Sequence, residues 1–98
     1  MNAARHVVVS GRVQGVGYRA FVEGEAIGLN LRGWVRNRRN GSVEAVFVGP
    51  AGAVESMIGA CRRGPWAARV DSVIEREGRT EDLALIGQAP AFTVLPTV

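Results

Sequence analysis

The stretch Gly11-Arg12-Val13-Gln14-Gly15-Val16-Gly17-Tyr18-Arg19 constrains this chain more than any other. A Val-rich run enters it and an amphipathic segment leaves it, so it reads as a strand, a glycine turn and the start of a helix. The first N–H groups of a helix have no intrahelical partner and carry the positive end of its dipole, and glycines let backbone approach a ligand closely. Successive amides in such a turn form a nest for an anion. Arg19 adds a permanently charged planar fork that suits a phosphate or a carboxylate. On this stretch alone two other readings stand. The glycines could make only a tight turn with Arg19 solvated, and Gly15-Val16-Gly17-Tyr18-Arg19-Ala20 also fits the G-x-G-x-x-G/A dinucleotide fingerprint.

The flanking sequence decides between them. His6 to Val13 is expected to form the first strand, with Val7, Val9 and Val13 on one face and Val8 making the other partly apolar, as suits a central strand. From Tyr18 the apolar positions Phe21, Val22, Ala26 and Leu29 recur at helical spacing and predict a helix to about residue 29, closed at Asn30. Leu31 to Arg38 and Ser42 to Val48 read as two strands, and Asn40-Gly41 between them signals a hairpin. In the first of these, Leu31, Gly33, Val35 and Asn37 share one face, so the Asn37 amide interrupts an apolar parity. It either begins the turn or faces a site. The hairpin rejects the dinucleotide reading, which requires a parallel second strand ending in Asp or Glu about 20 residues beyond the glycines. That region instead carries Arg36, Asn37, Arg38 and Arg39 and turns back antiparallel.

Gly49-Pro50 opens a second helix, in which Val54, Met57, Ile58 and Cys61 follow at i, i+3, i+4 and i+7, and Gly64-Pro65 closes it. Trp66 in the connection is a candidate to cap the core. Val70 to Glu77 predicts a fourth strand with faulty alternation, since Val73 and Ile74 are adjacent and Glu75 stands where an apolar residue is expected. Residues 78 to 90 form a long connection with an apolar patch at Leu83, Leu85 and Ile86, able to make a helical turn, before a last short strand at Ala91 to Leu95 that Pro96 ends at an edge. The order β-α-β-β-α-β is the α+β, ferredoxin-like split βαβ. It predicts a four-stranded antiparallel sheet with two helices on one face, the first and third strands central, and an extra short C-terminal edge strand.

Composition narrows the class. At 98 residues, 47% hydrophobic and 21% charged, the chain is expected to fold as a single domain over residues 1–98. No apolar run reaches the roughly 18 residues of a membrane span, and Met1 to Val9 does not resemble a signal peptide. Cys61 is the one cysteine, which leaves no internal disulfide and no thiolate cluster and suggests a reducing cytoplasm. The net charge of +3 and pI near 10.4 come from twelve arginines and no lysine. The groups Arg32/Arg36/Arg38/Arg39 and Arg62/Arg63 could follow a nucleic acid backbone, which makes a non-catalytic anion or RNA binding module the alternative, but aromatic residues placed to stack bases are lacking. His6, with no second His or Cys nearby, reads as a surface or half-buried residue and not as a catalyst.

With both halves of the pattern in view, the chain resembles the acylphosphatases. Gly11 through Arg19 matches that family's first signature, with Tyr18 where Phe is frequent. Gly33-Trp34-Val35-Arg36-Asn37 followed by Asn40-Gly41-Ser42-Val43-Glu44 matches the second, and the likeness covers roughly residues 6 to 77. The resemblance implies hydrolysis of carboxyl phosphate anhydrides, with Arg19 as the substrate-binding arginine and Asn37 as the asparagine that orients the attacking water. Gln14, Gly15, Val16, Gly17 and Tyr18 would form the phosphate loop with Arg19. It also implies a cytoplasmic monomer acting on a small-molecule acyl phosphate without metal or cofactor, and no nucleic acid or membrane partner. The chain departs from the family at Gly24, Ile27, Gly28 and Asn30, which replace charged residues and a closing Gly around the first helix and are expected to lower stability more than activity.

Overall fold

Side-chain alternation in the strands divides the molecule into two unequal faces. The computed structural model describes Met1–Val98. Along the chain come β1 (Asn2–Arg12), α1 (Tyr18–Gly28), β2 (Arg32–Asn37), β3 (Val43–Pro50), α2 (Ala51–Arg63), β4 (Arg69–Glu77), a short α3 (Thr80–Ala84) and β5 (Thr93–Val94). The strand order is β4-β1-β3-β2-β5, so β1 and β3 are central as the split βαβ pattern requires. Val7 and Val9 of β1, Val35 of β2, and Val43, Ala45 and Phe47 of β3 point to one side. There they meet Val22 and Ala26 of α1 and Val54, Met57, Ile58 and Cys61 of α2 in the main core. Asn30 closes α1 with φ of 56°, the left-handed geometry that Asn tolerates.

The irregular β4 has a simple cause. Ser10 pairs with Ser72 but Gly11 pairs with Val70, which leaves Asp71 as an extra residue in a bulge. A one-residue insertion moves every later side chain to the other face, so Val70 and Val73 both pack on the main core although their parities differ. Glu75 also points to the helix side, at the sheet's margin, where its carboxylate accepts hydrogen bonds from Arg5 at 3.0 Å and Arg62 at 2.8 Å. The hairpin between β2 and β3 is likewise longer than a two-residue turn. Arg38 N–H donates to the Ser42 carbonyl at 2.8 Å, Gly41 N–H to the Arg38 carbonyl at 3.1 Å, and Gly41 has φ of 96°. This is a three-residue loop with glycine in the bulge position.

The stretch after β4 crosses the sheet face that α1 and α2 leave open. Trp34, Val46 and Ile86 form a second, smaller core there, and the Trp34 indole N–H donates to the Asp82 carbonyl at 2.9 Å. The Asp82 carboxylate in turn accepts from Arg76 at 2.7 Å and from the Arg79 N–H at 2.8 Å, which ties α3 to β4. Phe92 then enters the main core and stacks on Phe47 with ring centroids 5.6 Å apart. It passes over Gly33, where φ is 138° and a Cβ would stand 1.8 Å from the Val46 carbonyl oxygen, so no other residue fits. The sheet is therefore five-stranded and mixed, because the C-terminal edge strand runs parallel to β2, and a third helix occupies the face opposite the first two. Trp66 does not cap the core; it is 98% exposed. No helix is long and apolar enough to cross a membrane.

On the same open face Glu44 gathers its neighbours. Its carboxylate accepts from Arg36 Nε at 2.7 Å and Arg38 Nη1 at 3.2 Å, and lies 2.7 Å from His6 Nε2. His6 is thus buried and structural. Burial raises the Glu44 carboxyl, but hydrogen bonds from His6 and Arg36 outweigh it and hold the group below its ordinary value. Arg76 lowers Asp82 in the same way.

Two outcomes are expected. Trp34→Ala removes a fully buried indole and its hydrogen bond and lowers unfolding free energy by about 3–5 kcal/mol, read as a fall in the urea midpoint. Since both lowered carboxylates stabilise the fold above their unfolded pKa values and stop doing so as pH falls through the folded ones, stability drops on acidification from about pH 5 toward 2. Glu44→Gln is less stable at neutral pH and shows a shallower acid dependence in urea titrations.

Candidate active site

The turn between β1 and α1 is built from positive φ angles. Gly15 and Gly17 have φ of 75° and 80°, and a Cβ at either would meet nothing within 4 Å, so backbone conformation and not space calls for glycine here. From Gln14 through Ala20 no backbone N–H donates to another group of the chain; the first bond of α1 is Phe21 N–H to the Gly17 carbonyl at 3.0 Å. No side chain caps the helix, and its first turn holds no acidic residue. What results is a run of free donors at the positive end of a helix dipole.

A cavity of about 350 Å³ opens over this run. Its lining includes Gly15, Gly17 and Arg19 from the turn and Asn37 from the end of β2, so the two signatures meet in one cleft. Arg19 is half-buried and forms neither an ion pair nor a side-chain hydrogen bond, which leaves its guanidinium available to an anion. Asn37 lies on the helix side of β2, as its parity with Val35 predicts. Its Oδ1 is buried and has no hydrogen-bond partner. A buried acceptor left unpaired costs about 1–3 kcal/mol, which makes Asn37 the residue of the cleft whose side chain has most to gain from a ligand.

The remaining predicted residues divide between lining and support. Gln14 lines the cavity, but its side-chain amide donates to the Arg38 carbonyl at 2.7 Å and the Ser42 carbonyl at 2.8 Å. It is a strut between the glycine turn and the hairpin that carries Asn37. Tyr18 is fully buried and its hydroxyl donates to the Cys61 carbonyl at 2.7 Å, anchoring the start of α1 to the end of α2. Burial holds the phenol well above its ordinary pKa and pushes the Cys61 thiol up to about 12, so neither is a nucleophile. Val16 turns its side chain onto the main core and is not among the residues that line the cavity.

Four lining residues, Val13, Ala20, Glu23 and Val94, are not singled out as site residues by the sequence reading. Glu23 stands one helical turn beyond Arg19, a spacing that could have flagged it. Val94 reaches the cleft because β5 pairs Val94 with Val35, two residues from Asn37, and no local sequence signal predicts that placement. The C-terminal stretch continues along β2, with Val98 N–H donating to the Asn37 carbonyl at 3.2 Å and Arg39 N–H to the Val98 carbonyl at 2.9 Å. The backbone of Asn37 is thus held from both sides, by β3 and by residues that follow β5.

Comparison with known proteins identifies the family. The acylphosphatase family profile matches residues 5–84. An acylphosphatase of Rhodopseudomonas palustris (strain BisB18) is 57% identical over 96% of this chain and 95% of its own length, and one of Nitrobacter hamburgensis is 50% identical over 99% and 98%. The crystal structure of acylphosphatase from Bacillus subtilis superposes with a TM-score of 0.83 at 35% identity, covering 97% of this chain and 99% of that one. With a family match over residues 5–84, relatives of that name at 50–57% identity along nearly the whole chain and a superposable crystal structure, the chain belongs to the acylphosphatase family.

Proposed function

We propose that this chain hydrolyses acyl phosphates by direct attack of a water on phosphorus, with the phosphoryl oxygens held by the amides of Gly15 to Arg19 and the Arg19 side chain, and with Asn37 positioning the water. Family membership supplies the reaction class, hydrolysis of a carboxyl phosphate anhydride. What carries the residue assignment is one juxtaposition: a run of free amides and an unpaired guanidinium facing the same cavity as an asparagine with a buried, unpartnered oxygen.

The chemistry asks little beyond placement. An acyl phosphate is a mixed anhydride whose carboxylate is already a good leaving group. The water oxygen forms a bond to phosphorus while the bond to the acyl oxygen breaks, the electron pair leaves with the carboxylate, and a water proton passes to a phosphoryl oxygen to give dihydrogen phosphate. Amides fixed before substrate arrives and a guanidinium stabilise the charge spread over the equatorial oxygens without reorganising. Asn37, with one acceptor and two donors, can hold the water in line. No His or carboxylate is needed as a base, consistent with a buried Glu44–His6 pair on the opposite sheet face. The binding-module alternative loses ground because Arg36 and Arg38 of the first arginine group are engaged by Glu44. A monomer working on a small molecule in a reducing cytoplasm is the setting this function supposes.

Benzoyl phosphate hydrolysis in the presence of a chelator tests the assignment. Arg19→Ala is expected to lose phosphate affinity and at least about 10³ in kcat/KM. Asn37→Ala is expected to lose about 10²–10³ in kcat while inhibition by inorganic phosphate is largely kept. Equal rates for wild type and Arg19→Ala defeat the proposal. Gln14→Ala, which frees the glycine turn from the hairpin, should lower kcat by about tenfold to a hundredfold because a misplacement of about 1 Å is enough; an unchanged kcat means the strut is dispensable.

A further inference from the structure

The phosphoryl group and the water account for only part of the cleft. Once the amides of the glycine turn, Arg19 and Asn37 are assigned to them, the lining that is left is the buried Val13 and Tyr18 and, more exposed at the mouth, Ala20 and Glu23 on α1 and Val94 on β5. The acyl group must lie there, between the first turn of the helix and the last strand. Ala20 is exposed and gives no contact of size, and Val94 offers an apolar side that many acyl groups satisfy equally. Glu23 is different in kind. It is the one charged residue besides Arg19 among those that line the cavity, and its carboxylate forms no ion pair and no side-chain hydrogen bond.

Its position follows from helix geometry. Residues four apart share a face and lie one turn apart, about 5–6 Å, so a substrate whose phosphate sits at Arg19 and whose acyl chain runs along α1 places its first few atoms beside Glu23. At that range, in a cleft only partly open to water, charge is felt strongly enough to sort substrates. We infer that Glu23 selects the acyl group by charge, favouring acyl phosphates that carry a cationic substituent and disfavouring those that carry a second anion. This inference rests on the orientation proposed above, with phosphate on the turn and acyl group toward the mouth. Arg19 and Glu23 then divide the cleft electrostatically: the cation holds the phosphoryl end and the anion screens the organic end. A Glu-lined mouth also discourages free dicarboxylates and bisphosphates from occupying the phosphate site backwards.

The experiment compares kcat/KM for three para-substituted substrates: benzoyl phosphate, 4-(trimethylammonio)benzoyl phosphate and terephthaloyl monophosphate, the last bearing an extra carboxylate. Taking the ratio between wild type and variant for each substrate cancels the electronic effect of the substituent on the leaving group. Glu23→Gln is expected to lower the cationic-to-anionic preference by about tenfold or more, each charged substrate moving about threefold to tenfold in opposite directions. Glu23→Lys should invert the preference, and Glu23→Asp should retain it. The preference should also shrink as salt is raised, since the groups face solvent. A preference that is the same in wild type, Glu23→Gln and Glu23→Lys overturns the inference while leaving the hydrolytic assignment standing, provided benzoyl phosphate is turned over. Failure of the wild type to turn over benzoyl phosphate removes both.

Discussion

Two hydrogen bonds from one side chain hold this site together. Gln14 donates to the carbonyls of Arg38 and Ser42, at 2.7 and 2.8 Å, and so fastens the glycine turn to the base of the β2–β3 hairpin. The turn by itself is a floppy object: its amides are unpaired, its glycines have positive φ and its helix has no side-chain cap. Asn37 by itself is the last residue of a strand that leads into a loop. Neither can stabilise a transition state unless the distance between them is fixed beforehand. A glutamine amide has two donors, and here both are used in one span, so the strut resists rotation as well as separation. The anchoring of Tyr18 to the Cys61 carbonyl serves the other end of the same turn.

The unmet polar groups are concentrated where the site is and nowhere else in the core. Elsewhere buried donors and acceptors are matched with care. The Trp34 indole reaches Asp82, and Glu44 takes three partners at once. Asn37 Oδ1 is the only buried side-chain atom left without a partner. A fold that satisfies its buried side-chain polar groups this thoroughly retains one exception at a cost in stability, and it belongs to a residue that lines the same cavity as an unpaired arginine. The open-face network has its own consequence. Glu44 draws Arg36 and Arg38 to the face away from the cleft, so two of the four arginines around the hairpin are paired with a carboxylate and not turned toward the glycine turn.

Much of this was legible in the sequence, and what was not has definite causes. Hydrophobic periodicity placed β1 through β4 and both long helices, because each buries one face against the same core and period is a local property. Parity put Asn37 on the helix side of β2, and the glycines announced a turn with free amides beside Arg19. The failures lie where local pattern is overruled by distant pairing. Asp71 in the β4 bulge scrambles the alternation of a strand whose true register is set by β1. Gln14 reads as a member of the phosphate loop, and that its side chain ties the loop to the hairpin is visible only once the hairpin is folded back beside it. Trp66, large and apolar, invited burial but sits in a connection with no core beneath it.

The C-terminal stretch is the clearest case of a segment whose role no local signal carries. Its apolar residues predict a helical turn and a short edge strand but not where either docks, and they are enough because each has a prepared place. Ile86 meets Trp34 and Val46, and Phe92 meets Phe47 over a glycine that leaves room for nothing else. Those contacts bring the chain from β4 across the open face to the free edge of β2, where parallel pairing sets Val94 at the cleft and hydrogen bonds fix the backbone on both sides of Asn37. A short strand of two residues would be marginal alone. Here it does not need to be stable alone, since packing on two cores delivers it. Covering the edge also removes a row of unpaired strand groups that would invite another chain. The stretch that sequence left least defined thus closes the sheet beside the residue on which the proposed chemistry turns, and the rigidity asked of Asn37 comes from outside both signatures.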